Sequence, residues 1–311
     1  MVQFFQDWSL YYDDKGEYPV AISPITLGTT SSIVLCDNGF VASASSCSGK
    51  IYMGKIPRNP SPNGIDYSYV STSGSGTYSL AYLLEKGVET IPSGYNIVGE
   101  GDTLSYGLVA YYPLNGTHLA SDISGNNNNG TIYGATLTTG VNGEINGAYD
   151  FGTANDGFYI DIPNNNFSFY NFSMSAWIYI KGNQLNYDGT IISSGNWNSS
   201  HWSFGISQAN GSIKTRNPYA TVNYAFSLNN WYHLVYVRDS NVLKFFVNGV
   251  LINSYTNNNY IPLTSGYTNT KIGMDTYTLS YFNFNGKIAL FRMYNRALNS
   301  IEIMYLYNKV N

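Results

Sequence analysis

The stretch 230–253, NWYHLVYVRDSNVLKFFVNGVLIN, constrains the fold more than any other part of the chain. Its apolar residues lack the 3.6-residue period of a helix. They occupy both sides of an extended chain instead, with Trp231, His233, Val235 and Val237 on one side and Tyr232, Leu234 and Tyr236 on the other. Turn formers interrupt the run at Asp239-Ser240-Asn241 and again at Asn248-Gly249. Asn-Gly between apolar runs signals a hairpin, because both central residues of a type I′ turn need φ > 0. The stretch therefore reads as three consecutive antiparallel strands, 231–238, 242–247 and 250–252. Such strands are expected to be covered on both faces, or on one face plus a partner, and read as the middle of an antiparallel sandwich.

The rest of the chain can supply that cover. Its 311 residues hold one large or two ordinary domains, and an apolar share of 43% supports real cores. Only 11% of residues are charged; thirty Tyr and many Asn, Ser, Thr and Gly provide the polarity. Such a surface suits an extracellular or acid-exposed setting, since few carboxylates titrate on it. The net charge of −4 forms no basic stripe, which excludes nucleic acid as a partner. No run of 18 apolar residues provides a membrane span. The opening MVQFFQDWSLYYDD lacks the basic and apolar regions of a signal peptide. The expectation is either that a signal has been removed or that the protein leaves its cell inside another vehicle, a virus particle.

Asn usage divides the chain, with four Asn before Leu104 and 34 after it. The expected domains are 1–103 and 104–311. In the first, β-rich runs at 18–22, 32–36, 50–55, 66–70, 77–84 and 95–98 alternate with Gly, Pro and Ser clusters, the pattern of a small all-β sandwich or barrel. Cys36 and Cys47 flank an Asp37-Asn38-Gly39 turn and fit either a disulfide or two buried thiols. The first domain carries no motif with a chemistry of its own; anchoring or oligomerisation is its expected role.

Strand signals recur through the second domain, and Asn299 with Glu302 three residues on forms a helix capping box. Seven segments, YYPLNG, DISGNNNNGTIYG, GAYDFG, FSMSAWIYI, NWYHLVYVRDSNVLKFFVNGVLI, KIGM and FNGKIALFRMYNRALNSIEI, follow one another across 107–310. In this order they resemble a laminin-G-like, concanavalin A-type jelly roll of the lectin and glucanase superfamily. The resemblance implies two curved antiparallel sheets with a short C-terminal helix, and a protein that binds glycans, proteins or surfaces.

Glycosidases need two carboxylates about the scissile bond. Glucanases of the superfamily carry them on one strand, and no E-x-D-x-E pattern occurs here, so the chain is not expected to be an enzyme. His118, His201 and His233 are scattered, and His233 sits in a core strand as a structural residue. The resemblance implies a calcium site near Asp122 and Asn126, although the paired acids that relatives carry in the last strand are replaced by Ile288-Ala289-Leu290-Phe291. Trp177 and Trp231 read as packing residues. Trp197 and Trp202 lie in a polar stretch with Asn196, Asn198 and His201, and with Tyr187 nearby they form the candidate sugar-stacking group. Sequons begin at Asn115, Asn129, Asn166, Asn171, Asn198 and Asn210.

The function these features point to is a non-enzymatic virion surface protein, a spike, turret or tail-tip component. Its first domain would contact other virion proteins and copies of itself as a homo-oligomer, and its jelly roll would face a host glycan or protein. The Tyr- and Asn-rich composition resembles that of structural proteins of viruses infecting archaea of acid hot springs. The alternative is a secreted or cell-surface carbohydrate-binding protein.

Overall fold

The computed structural model describes residues 2–29, 31–58, 67–71, 78–84, 94–98, 104–153, 156–163, 167–182, 188–196, 199–207, 211–257, 269–276 and 283–310. The chain forms two compact units, one of Met1–Tyr106 with Asn299–Asn308 and one of Gly107–Leu298 with Lys309–Asn311.

The first unit opens with a helix, α1 (Val2–Lys15), followed by β1 (Ala21–Thr26), β2 (Val34–Cys36), β3 (Gly39–Val41), β4 (Ile51–Met53), β5 (Ser68–Ser71), β6 (Ser79–Leu84) and β7 (Gly94–Val98). Among the described residues one antiparallel sheet runs β1-β5-β6-β7 and another β3-β2-β4. β2, β4, β5, β6 and β7 lie on or overlap the β-rich runs of the sequence and β1 overlaps one at 21–22, whereas β3 and α1 do not follow from them. Trp8 and Tyr11, one helical turn apart, bury themselves in a cluster with Tyr67, Tyr69, Tyr78 and Tyr82. Gly16, at φ 72°, ends the helix in the left-handed conformation that glycine adopts freely. Cys36 and Cys47 are joined by a disulfide, with Cα atoms 5.9 Å apart.

The second unit is a two-sheet sandwich. It contains β8 (Leu108–Tyr112), β9 (Thr131–Tyr133), β10 (Thr136–Thr138), β11 (Ala148–Asp150), β12 (Tyr159–Pro163), β13 (Phe172–Ile180), β14 (Asp188–Asn196), β15 (Ser199–Ser207), β16 (Ser212–Arg216), β17 (Ala220–Asn223), β18 (Trp231–Asp239), β19 (Val242–Val247), β20 (Val250–Thr256), β21 (Asn269–Ile272) and β22 (Gly286–Tyr294). Among the described residues the front sheet runs β17-β16-β15-β14-β21-β12-β9. The back sheet runs β10-β11-β22-β13-β18-β19-β20, with β8 also on β22. Trp202, Phe204, Ile206 and Ile272 of the front sheet join Ile178, Leu234, Tyr236 and Ile288 of the back sheet in one core.

The 230–253 stretch adopts the expected double hairpin. Asp239 pairs with Val242 and Val247 with Val250, leaving Ser240-Asn241 and Asn248-Gly249 as two-residue turns. Ser240, Asn248 and Gly249 have φ of 56°, 50° and 78°, as a primed turn demands. Leu234 and Tyr236 face the core, and His233, Val235 and Val237 are buried as well. After β22 the chain enters α2 (Ser300–Asn308), which clusters with the first unit. Its capping box is complete: the Asn299 N–H donates to Glu302 Oε2 at 2.9 Å, and the Glu302 N–H donates to Asn299 Oδ1 at 3.0 Å.

Candidate ligand-binding site

A strand places alternate side chains on opposite faces of its sheet. In the front sheet Ile160, Ile272, Trp202 and Ile213 turn into the core, so their neighbours face outward. Strand register aligns these outward residues in a polar row. Thr131 lies opposite Asp161, Asp161 opposite Lys271, Lys271 opposite Ser193, Ser193 opposite Ser203, and Ser203 opposite Arg216. Side chains directly opposite one another stand about 4.5–5.5 Å apart at Cβ.

One end of the row carries aromatic rings. Tyr133 pairs with Tyr159 across β9 and β12, and their rings stack at 4.8 Å with an 18° tilt. Tyr133 is 47% exposed. The Lys271 ammonium lies 4.2 Å from the Tyr159 ring centroid, a cation–π contact. Burial raises the Asp161 carboxyl above its ordinary value despite Lys271 nearby. Burial also lowers the Lys271 amine despite Asp161 and Asp275. Each group thus holds its charge partly stripped of water.

Farther along, the Met274–Thr276 turn roofs the row. Ser193 Oγ donates to the Met274 carbonyl at 3.0 Å and accepts the Thr276 N–H at 2.8 Å. Beneath it His201 Nε2 meets Asp275 Oδ1 at 2.9 Å, with both side chains buried. Beyond the turn Lys214 Nζ lies 2.7 Å and Arg216 3.9 Å from the Asp188 carboxylate. In a chain where 11% of residues are charged, Asp161, Asp188, Lys214, Arg216, Lys271 and Asp275 gather here.

Residues 152–304 match a laminin G family described as the concanavalin A-like lectin/glucanases superfamily. The second unit is a concanavalin A-like jelly roll. Solved structures agree on the fold. The binding domain of Paraclostridial Mosquitocidal Protein 1 is 19% identical, with a TM-score of 0.53 over 66% of this chain and 52% of that one. Domain 4 of an extracellular arabinanase from Geobacillus stearothermophilus, solved with arabinotriose, is 20% identical, with a TM-score of 0.50 over 64% of this chain and 98% of that one. A Trypanosoma rangeli sialidase is 14% identical, with a TM-score of 0.52 over 71% and 34% of the two chains. The chain thus spans about half the length of the mosquitocidal binding domain. No curated protein matches it.

Of the sugar-stacking group expected around Trp202, the described side chains Trp202 and His201 do not face a ligand. Trp202 is 2% exposed and packs in the core, because its parity on β15 is that of Phe204 and Ile206. His201, on the other face, is buried against Asp275 rather than free for a ligand. Asn196 pairs in register with Ser199 and Ser200 in the β14–β15 hairpin. Trp197, Asn198 and Tyr187 lie outside the described residues, as do the sequon residues Asn166 and Asn210. The amide oxygens of the remaining sequon residues organise the backbone. Asn115 Oδ1 accepts the Thr117 and His118 N–H groups, Asn129 Oδ1 that of Asp122, and Asn171 Oδ1 that of Ser240.

The calcium reading of Asp122 and Asn126 also meets a different use of the oxygens. Asp122 Oδ1 accepts the Tyr111 and Ser124 N–H groups, and Oδ2 accepts the Asn128 N–H and Nδ2, all at 2.9–3.1 Å. Asn126 Nδ2 donates to the Leu108 and Val109 carbonyls. A carboxylate ringed by N–H donors organises a loop and presents no open oxygens to a cation. Among the described residues no three His, Cys, Asp or Glu side chains converge as a metal site requires. Nor, among them, is any helix long and apolar enough to cross a membrane.

The described residues also form clefts. One of about 390 Å³ lies between β17 and β19–β20 and is lined by Tyr219, Leu243 and Tyr255. Another, of about 340 Å³, is lined by Pro113, Val141, Ile145 and Leu290.

Proposed function

We propose that the jelly roll is a non-catalytic module that binds a surface glycan on the outer face of its front sheet. The observation that carries this reading is the Tyr133–Tyr159 stack with Lys271 and Asp161 beside it. A pyranose has an apolar C–H face and a rim of hydroxyls. An exposed tyrosine ring covers the first, while a carboxylate and an ammonium accept from and donate to the second. The arabinanase domain solved with arabinotriose supports a sugar as the ligand class. Hydrolysis would need two uncommitted carboxylates, and here Asp188 is held by Lys214 and Asp275 by His201.

The charge-poor, Tyr- and Asn-rich composition supports a place on the outside of a particle, so we assign the protein to a virion surface with the jelly roll toward the host. Purified particles would contain the chain in stoichiometric amounts; finding it only in cell-free medium, apart from particles, would favour the secreted carbohydrate-binding protein instead. For the binding itself, the full chain on a glycan array is expected to retain a discrete set of sugars. Tyr133→Ala would weaken that retention about tenfold, the effect of losing one aromatic anchor. An array with no retained sugar would refute the reading.

A further inference from the structure

We propose a second sugar site on the opposite face of the sandwich, built by Trp231, Tyr179 and Lys287 of the back sheet and selective for a carboxylate-bearing pyranose. Tyr232, Ile178, Ile288 and Tyr149 turn into the core, so Trp231, Tyr179, Lys287 and Asp150 face outward. Register sets them in one row across four strands: Trp231 opposite Tyr179, Tyr179 opposite Lys287, Lys287 opposite Asp150. The Trp231 and Tyr179 rings meet edge to face at 5.5 Å and 62°. The Lys287 ammonium lies 4.9 Å from the Tyr179 centroid. An indole face and a cation therefore flank the same tyrosine.

Folding alone does not account for this group. Trp177, two residues before Tyr179, is buried beside His233, with ring centroids 5.3 Å apart. Trp231, Tyr179 and Lys287 stay partly exposed, and none belongs to either hydrophobic core. The charges are unbalanced too. Lys181 bonds Asp150, so the one acid in the row is already neutralised. Among the described residues no carboxylate forms an ion pair with Lys287. With Lys181 bonded to Asp150 beside the row, two lysines stand against one aspartate here among the described residues, a local positive excess in a chain of net charge −4. A pyranose seated on Trp231 would direct its carboxylate to Lys287, where the ammonium already stands over the neighbouring ring. A neutral sugar would gain the stacking without the ion pair.

The test is calorimetric titration of the full chain with trigalacturonate and with sialyllactose, against lactose as the neutral comparison. At least one acidic probe is expected to bind more tightly than lactose. Lys287→Gln, a surface change that leaves the core untouched, should weaken the acidic probe about tenfold with an unchanged Tm. Trp231→Ala should weaken acidic and neutral sugars alike at this site. Tyr159→Ala, on the front sheet, should leave acidic binding intact, so this inference and the front-sheet reading can fail separately. The proposal is overturned if neither acidic probe binds, if Lys287→Gln leaves the affinity unchanged, or if Tyr159→Ala removes the acidic binding.

Discussion

His233 shows how one side chain can tie the stability of a charge-poor protein to pH. Its Nε2 lies 2.8 Å from Ser175 Oγ in a fully buried setting. Burial, and secondarily the Arg292 guanidinium, pushes the imidazole down to about 3. The folded state thus binds a proton less readily than the unfolded chain, whose histidine titrates near 6.5. The contribution is complete above about pH 6.5 and is lost as pH falls toward 3, by at most ~1.4 kcal/mol per pH unit. Denaturant unfolding across that window should show the decline, and His233→Gln should flatten it. A surface with few carboxylates therefore does not make this fold indifferent to acid. Asp122 adds a second dependence lower down. Burial opposes its charge, but N–H donors from Tyr111, Ser124 and Asn128 outweigh burial and hold the carboxyl below its usual value. Its contribution is present above about pH 4 and disappears as pH falls through the depressed folded value. Asp122→Ala would leave those N–H groups unpaired and should cost about 1–3 kcal/mol by thermal unfolding. Added calcium should leave the wild-type Tm unchanged, since a cation would have to displace four donors.

At the scale of elements, what could be read in the sequence was what local chemistry determines. Two-residue turns, alternating strands and the Asn299–Glu302 box depend on neighbours in the chain, and each appears where its residues predict it. Gly249 sits at φ 78°, so Gly249→Val should cost about 1–2 kcal/mol and lower the Tm. Asn299→Ala should cost about 1 kcal/mol by removing a helix cap. Helix α1 escaped because its apolar residues are mostly aromatic, with acids such as Asp7, Asp13 and Asp14 among them, and among its described side chains the buried Trp8–Tyr11 pair marks the inner face. The proposed binding face escaped for a different reason. Thr131, Asp161 and Lys271 come from distant parts of the chain and meet only through strand register. Tyr133 and Tyr159 are two of thirty tyrosines, and nothing local distinguishes them. Trp202 misled for the converse reason. A polar neighbourhood in sequence suggested exposure, but strand parity turned the ring inward.

The whole molecule joins a small aromatic-cored unit to a jelly roll whose two outer faces differ in chemistry. The front face offers stacked tyrosines with a desolvated acid and amine, and the back face offers a tryptophan with a surplus lysine. The central claim is that the front face holds the glycan. Amide chemical shifts of the full chain, followed while titrating the strongest glycan from the array, test it most directly. The account predicts that the largest changes fall at Thr131, Tyr133, Tyr159, Asp161 and Lys271 and vanish in Tyr159→Ala. Changes confined to the Tyr219–Tyr255 cleft, with Tyr159→Ala binding as well as wild type, would contradict it.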